Sequence, residues 1–374
     1  MNPVRWFFAL LISFWLSGCE PAQPSRLLPY GQLRLAAILG DTDLTGYSRA
    51  DQVIDFQFPR DHRTHDSFRS EWWYLVFMLS DSTGAEFGVQ FTIFRQALLP
   101  RPVSTNPWQT NQAYLGHFAV TDVAASAHRA YERVARGHPQ LAGTQPGGFV
   151  LTLDGWLLEA VAAEPALWHL RASAGEDMLD VQLSPEKPVV LHGEAGLSAK
   201  SAGNASYYYS IPRLKVSGLL LLQGEAHRVE GTAWFDREWS TSVLSDDQVG
   251  WDWFALQLED GRDLMVFQLR NKRGGRDSYD HGIWVAADGR SRLLRAADFT
   301  LVPLAYWMDE DNARWPVQWQ LRIGEELWRI QAAIADQRMA TTLVYWEGLT
   351  DIFNAADERV GRGYMELTGY ADEL

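Results

Sequence analysis

Three carboxylic acids set among indole rings are the residues of this sequence best suited to chemistry. They are Asp236, Glu238 and Asp252, within GTAWFDREWSTSVLSDDQVGWDWFALQLEDG (231–261), which also holds Trp234, Trp239, Trp251 and Trp253. If 231–239 is a strand, alternation puts Trp234, Asp236 and Glu238 on one face and Phe235, Arg237 and Trp239 on the other. The two acids then lie roughly 7 Å apart. Carboxyls at that spacing can divide the roles of acid and base if their environments differ. The alternative is structural: either acid pairs with a core arginine such as Arg95 or Arg270, because buried charges need partners.

Asp252 raises the same choice. Asp260-Gly261 predicts a two-residue hairpin turn. Centred there, the hairpin pairs Leu256 with Met265, Phe254 with Phe267 and Asp252 with Leu269 on an apolar face, and Trp251 with Arg270 on the other. On an apolar face, desolvation favours the neutral acid, and a protonated carboxyl can serve as a general acid. A buried aspartate held by backbone amides or an arginine fits the pattern equally well. Glu71, before Trp72-Trp73-Tyr74, suits a barrel-closing ion pair. His62 and His65 point to opposite faces of an extended chain, so a structural or ligand-contacting role is expected of them and no metal or cofactor site is. The sequence has no G-x-S-x-G, P-loop or H-E-x-x-H motif, and no nucleophile pattern surrounds Ser210 in Tyr207-Tyr208-Tyr209-Ser210.

The elements that must position these residues are short strands. EFGVQFTIFR, GFVLTLDGWLLEA, MLDVQLSP, RLKVSGLLLLQG and DLMVFQLR alternate with period two between Gly, Asp, Asn and Pro punctuation. An all-β chain of sandwich or barrel type follows. The stretch 121–137 is the exception, its Ala, Arg and Glu content predicting a surface helix. EWWYLVFML and EFGVQFTIFR also echo WDWFALQL and DLMVFQLR half a chain later, aligning Trp73 with Trp253, Tyr74 with Phe254 and Arg95 with Arg270. Two tandem β domains explain the echo, over 51–225 and 226–374.

The 374 residues carry a net charge of −14, which argues against a nucleic-acid partner. Seventeen tryptophans supply either heavy aromatic packing or the walls of an apolar site. Residues 1–18 read as an export signal, with one arginine, an apolar run too short to span a bilayer comfortably, and small residues. Leu16-Ser17-Gly18-Cys19 resembles a bacterial lipobox, and 19–50 reads as a polar tether. Glu20 after the cysteine leans towards the outer membrane.

The ordered blocks EWWY (71–74), QFTIFR (90–95), LHGEAGLSAK (191–200), SYYYS (206–210), GTAWFDREW (231–239), GWDWFALQLEDG (250–261), YWEG (345–348) and GRGYMELTGY (361–370) together resemble the AttH-like proteins, grouped with carotenoid 1,2-hydratases. The resemblance covers nearly all of the mature chain. It implies two tandem lipocalin-like, calycin-type antiparallel barrels, a lipid or isoprenoid ligand and, for the AttH type, an accompanying ABC transporter. The hydratase pattern has histidine and asparagine in the Asp-x-x-Trp block, where this chain has Arg237 and Glu238.

The expectation is an envelope lipoprotein facing the periplasm. It binds or processes an apolar ligand in a barrel or at the domain junction, against Trp72, Trp73, Tyr74, Tyr208, Trp234, Trp239, Trp251 and Trp253. The alternative is a hydratase, isomerase or hydrolase-like enzyme with Asp252 as general acid, aided by Asp236 and Glu238. Palmitate labelling should tag the wild type and spare Cys19→Ala; equal labelling of both would remove the anchor.

Overall fold

The computed structural model describes residues 44–371 apart from 103, 164, 165, 242, 243 and 246. Cys19, the signal segment and most of the tether lie outside them. The described residues form two antiparallel sheets and no α-helix. The first sheet holds β1 (Ser70–Asp81), β2 (Glu86–Ala97), β3 (Gln112–Asp122), β4 (Ala127–Arg136), β5 (Ala142–Thr144), β6 (Val150–Leu153), β7 (Trp156–Ala163), β8 (Ala166–Ala174), β9 (Asp177–Pro185), β10 (Val190–Leu191), β11 (Leu197–Ser201), β12 (Asn204–Leu222) and β13 (Glu225–Ser240). The second holds β14 (Gln248–Leu258), β15 (Asp263–Asn271), β16 (His281–Val285), β17 (Ser291–Arg295), β18 (Phe299–Met308), β19 (Arg314–Ile323), β20 (Glu326–Ala332), β21 (Arg338–Ala340), β22 (Val344–Phe353) and β23 (Arg359–Leu367).

The two sheets repeat one plan. The first runs β4-β3-β2-β1-β13-β12-β9 and onward; the second runs β17-β16-β15-β14-β23-β22-β20 and onward. In each, a four-strand meander is joined through its first strand to the last strand of its own half. Each sheet curls round its own core, giving the lipocalin-like architecture. Because β13 pairs with β1 along its whole length, it belongs to the first sheet, and the chain changes sheets between Ser240 and Gln248 rather than at 225/226. The β12–β13 turn at Gln223-Gly224 is a local hairpin within that sheet.

Strand alternation sorts side chains into three cores. On β1, Trp73, Leu75, Phe77 and Leu79 fill the first barrel, while Tyr74, Val76 and Met78 face the seam between the sheets. On β14, Phe254 and Leu256 fill the second barrel, while Trp253 and Ala255 face the seam. Both barrel interiors are packed with side chains. The sheets approach closely at Gly88, where an added Cβ would meet the Tyr364 hydroxyl at 2.7 Å and the Leu349 Cβ at 2.8 Å.

Three sequence expectations fail here. The segment predicted helical within 121–137 is the β3–β4 hairpin, with Ala127–Arg136 paired to β3. Helix propensity is a weak prior, and edge pairing overrides it. Arg129 reaches Asp177 at 2.9 Å and Arg133 lies over the Trp156 ring, tying β4 down. The β14–β15 turn is a three-residue loop, with Leu258 N–H donating to Arg262 O and Gly261 at φ +87°. Register therefore shifts by one: Trp253 opposes Phe267 and Asp252 opposes Gln268, and Arg270 lies over Tyr370 instead of Trp251. The half-chain echo reflects equivalent strands, but Trp73 and Trp253 face opposite ways, one into a barrel and one to the seam.

One charged cluster sits inside the first barrel. Glu71, fully buried, accepts from Arg95 Nε and Arg237 Nη2, and from the His65 backbone N–H at 3.1 Å. Arg237 lies 3.9 Å from the centre of the Trp73 ring, and His65 stacks on Trp239 at 3.8 Å. His62 turns away to bond the Tyr209 hydroxyl. Burial alone would raise the Glu71 pKa, but the two guanidiniums outweigh it and hold the carboxyl well below its ordinary range. Removing the charge leaves two guanidiniums buried beside a neutral group. Glu71→Gln should therefore lower unfolding free energy by about 3–5 kcal/mol, read from urea denaturation; an unchanged midpoint would show that the cluster contributes nothing to stability.

Candidate functional site

The seam between the sheets encloses the candidate site. On the first sheet, cross-strand register lines up Phe94 (β2), Trp72 (β1), Glu238 (β13) and Tyr208 (β12) in one row, with Tyr74, Asp236 and Ser210 in the next. The second sheet lines up Phe267 (β15), Trp253 (β14), Glu366 (β23) and Glu347 (β22). With Lys200, Trp251, Leu269 and Tyr345, these residues (Ser210 excepted) enclose a cavity of about 70 Å³. Counted together with the solvent-open space at its mouth, the cleft is about 680 Å³. Trp253 Nε1–H donates to the Tyr208 hydroxyl at 3.2 Å and joins the walls, and its ring meets Tyr74 edge-on at 5.1 Å.

The cavity is aromatic, yet four carboxyl groups enter it: Asp236, Glu238, Glu347 and Glu366. Lys200 is the one cation among the described lining residues. Its Nζ lies 3.3 Å from Glu238 Oε1 and 4.2 Å from the centre of the Phe267 ring. Ser206 also donates to Glu238. This leaves three carboxyls with no cation.

Asp236 is held by donors: the Ser210 and Tyr208 hydroxyls and the Trp234 Nε1–H, the last at 2.6 Å. Burial pushes its pKa up to about 7 despite these bonds, and the charge of Glu238 adds to the rise. Behind Ser210 stands His192, with Nε2 at 2.5 Å from the hydroxyl. The serine lies between the imidazole and the carboxylate, so aspartate does not orient histidine and the trio is not a hydrolase triad.

Glu347 and Glu366 oppose each other directly on neighbouring strands. Such pairs have Cβ atoms about 5 Å apart, where two like charges destabilise each other. Burial pushes Glu366 up to about 8; the Trp251 indole, donating at 3.1 Å, opposes this, and Asp236 and Glu238 add to it. Burial, then the charge of Glu366, raises Glu347 well above its ordinary value, with the nearby Tyr74 and Tyr345 hydroxyls pulling it down only in part. Neither Glu347 carboxyl oxygen nor the Tyr74 hydroxyl completes a hydrogen bond of normal length and angle, although the Tyr74 and Tyr345 hydroxyls lie close enough to Glu347 to act on its titration. The pair therefore retains a proton at neutral pH, with one member available as acid.

Of the residues singled out in the sequence, Asp236, Glu238, Trp72, Tyr74, Tyr208, Trp251 and Trp253 meet at the cavity. Trp234 stands behind it as a donor to Asp236. Trp73 and Trp239 do not reach it, because they fill the first barrel. Asp252 is the main displacement. Fully buried, it shares the face of Phe254 and Leu256, turned away from the cavity, where Gln268 Nε2 and the Tyr370 hydroxyl donate to it at 2.9 and 2.8 Å. It is to the second barrel what Glu71 is to the first, a carboxylate inside the barrel held by polar partners. Glu347, Glu366 and Lys200 escaped the sequence reading, although YWEG, YMEL and LSAK each place a charge within an apolar strand.

A family model described as AttH-like matches residues 49–370. Acyclic carotenoid 1,2-hydratase of Cereibacter sphaeroides is 26% identical over 135 residues, which are 36% of this chain and 47% of that protein, so the match spans about half of that relative. Among solved structures, that of a Nitrosomonas europaea protein assigned to AttH is 35% identical with a TM-score of 0.77, over 86% of this chain and 99% of that one. Kievitone hydratase from Nectria haematococca shares the fold at 13% identity and a TM-score of 0.65, over 87% of this chain and 97% of that one.

A carboxyl raised from 4.5 to about 8 keeps its proton in the folded chain after the unfolded chain has lost it. Its stabilising contribution is complete below the lower value and is lost as pH rises through the upper one. Glu366→Gln keeps an acceptor for Trp251 and removes the titration. From about pH 6 to 8, wild type should lose on the order of 2 kcal/mol relative to this variant, measured by denaturation at each pH. A pH-independent difference would show that Glu366 titrates normally.

Proposed function

The chain belongs to the AttH-like family, and we propose that it is an acid–base enzyme of the hydratase type, acting on an unsaturated apolar molecule whose reacting end enters the seam cavity. The observation that carries this reading is the opposed, cation-free pair Glu347 and Glu366 within aromatic walls. Two relatives named as hydratases support it. This reading is preferred to simple lipid binding, because the barrel interiors are filled and the cavity takes only the end of a chain.

The chemistry follows from the groups present. The protonated member of the pair donates its proton to one carbon of a C=C bond; the π electrons form the new C–H bond and leave a cation on the other carbon. A buried carboxyl of raised pKa is a weak donor in water. In a buried site of low polarity, however, transfer creates a carboxylate next to the carbocation, and their attraction offsets the cost. The faces of Trp72, Trp251 and Trp253 add cation–π stabilisation. Water then attacks the cation, forming the C–O bond, and gives its extra proton to a second carboxylate, for which Asp236 has the suitable pKa of about 7. The reverse sequence, dehydration, uses the same groups.

Lipidation at Cys19 would hold the cavity near a bilayer, where such substrates partition, and an ABC transporter is a further proposed partner. Prenyl-terminated isoprenoids incubated in H₂¹⁸O should yield products heavier by one labelled water. Glu366→Gln and Glu347→Gln should each lower kcat by about 10²–10⁴-fold with little change in KM. Tight capture with only unmodified lipid returned would overturn the enzyme reading in favour of a binding protein.

A further inference from the structure

Acids buried in an aromatic cavity need a route by which protons return to them. We propose that Glu132, His117 and Tyr345 form a proton path between solvent and Glu347. This deepens the acid–base reading of the site and rests on it.

The path crosses from one sheet to the other. Glu132, on β4, keeps 19% of its side-chain surface exposed, whereas His117, on β3, is fully buried. Glu132 Oε2 lies 3.2 Å from His117 Nε2, and His117 Nδ1 lies 2.8 Å from the Tyr345 hydroxyl on β22. Tyr345 and Glu347 are two residues apart on that strand, so both project into the cavity, where each acts on the other's titration. Glu132 is fixed in place by the Thr342 N–H at 3.1 Å and the Thr342 hydroxyl at 2.6 Å. The Thr341 hydroxyl lies 3.3 Å from His117 Nε2. A mere clamp between the sheets would need one of these bonds. Here both ring nitrogens are engaged, and the phenol ends in the cavity beside the Glu347 carboxyl, whose pKa it pulls down.

The titration of each member suits a relay. Burial lowers the His117 pKa, with Glu132 opposing, so the ring is neutral at physiological pH. A neutral imidazole accepts at one nitrogen while donating from the other. Burial, with Glu347 and Glu366 adding, keeps Tyr345 a phenol. Burial would raise Glu132, but His117 and Thr342 outweigh this and keep it ionised until it takes a proton from solvent. The other titratable groups facing Glu347 are Glu366 across the strand pair, Tyr74 and Tyr364.

The inward step balances without a trapped charge. A proton on Glu132 moves to Nε2 as the Nδ1–H proton moves to the Tyr345 oxygen and the phenol proton moves to the Glu347 carboxylate. One bond to hydrogen breaks and one forms at each of His117 and Tyr345. The net change is one proton transferred from Glu132 to Glu347.

The test needs no substrate. After rapid mixing of the full chain into D₂O near neutral pH, the carboxylic-acid C=O stretch in the infrared shifts as the buried acid exchanges, and its loss in Glu347→Gln assigns the band. Tyr345→Phe and Glu132→Gln, the latter at the partly exposed end of the path, should retain the band and slow its exchange by at least about tenfold. A band that exchanges at the wild-type rate in both variants overturns the path and leaves the acid–base reading standing. A wild type with no such band overturns the protonated acid, and the path with it.

Discussion

Four carboxyl groups and one ammonium share an aromatic seam between two sheets, and the character of the site follows from that imbalance. Burying one carboxylate without a counter-ion costs several kcal/mol after relaxation, and burying a second one next to it costs more. The chain meets the cost in three ways. Glu238 is given Lys200. Asp236 is given three donors. Glu347 and Glu366 are given little, and must keep a proton. A neutral acid at physiological pH is thus a consequence of how the sheets meet, because each sheet contributes carboxyls to a surface that the other covers.

The same constraint is solved differently inside the barrels. Glu71 is surrounded by Arg95, Arg237 and a backbone amide, and the result is a firmly ionised group with no room around it. Asp252 is likewise held by polar partners, Gln268 and Tyr370. In both barrels a carboxylate with satisfied oxygens contributes to structure. At the seam, the Glu347 carboxyl, whose oxygens complete no hydrogen bond of normal geometry, faces open volume. What separates the two classes is which side of a strand the residue is on, a matter of odd and even positions along one chain.

That parity explains how far the sequence could be read. Alternation correctly grouped Asp236 and Glu238 with Trp234, and Asp252 with Phe254 and Leu256. It could not say which apolar face held a cavity, since strands packed on both sides are apolar on both. The tryptophan-rich side of β14 faces the seam, and the side carrying Asp252 faces a filled barrel. The three-residue loop at 259–261 was also beyond the reading, because Asp-Gly serves two hairpin geometries and only Leu258 pairing with Arg262 distinguishes them. Glu347 and Glu366 each sit plainly in their strands, but their opposition exists only through the β22–β23 register, which no local pattern encodes. Helix propensity in 127–136 gave way to the open edge of β3.

The departure from the hydratase pattern at Arg237 and Glu238 now divides in two. Arg237 points into the first barrel, where it serves Glu71 and lies over Trp73, so its effect on cavity chemistry is indirect. Glu238 points into the cavity beside Lys200. An asparagine there would leave that ammonium charged and unpaired against Phe267 and Tyr208, lowering the pKa values of Asp236 and Glu366 across the seam. Glutamate does the opposite: its charge adds to theirs and helps to keep protons on both. The residue that sets this chain apart from the hydratase pattern therefore favours retained protons on Asp236 and Glu366. It does so from the first sheet, while the acid pair it acts on is built by the second.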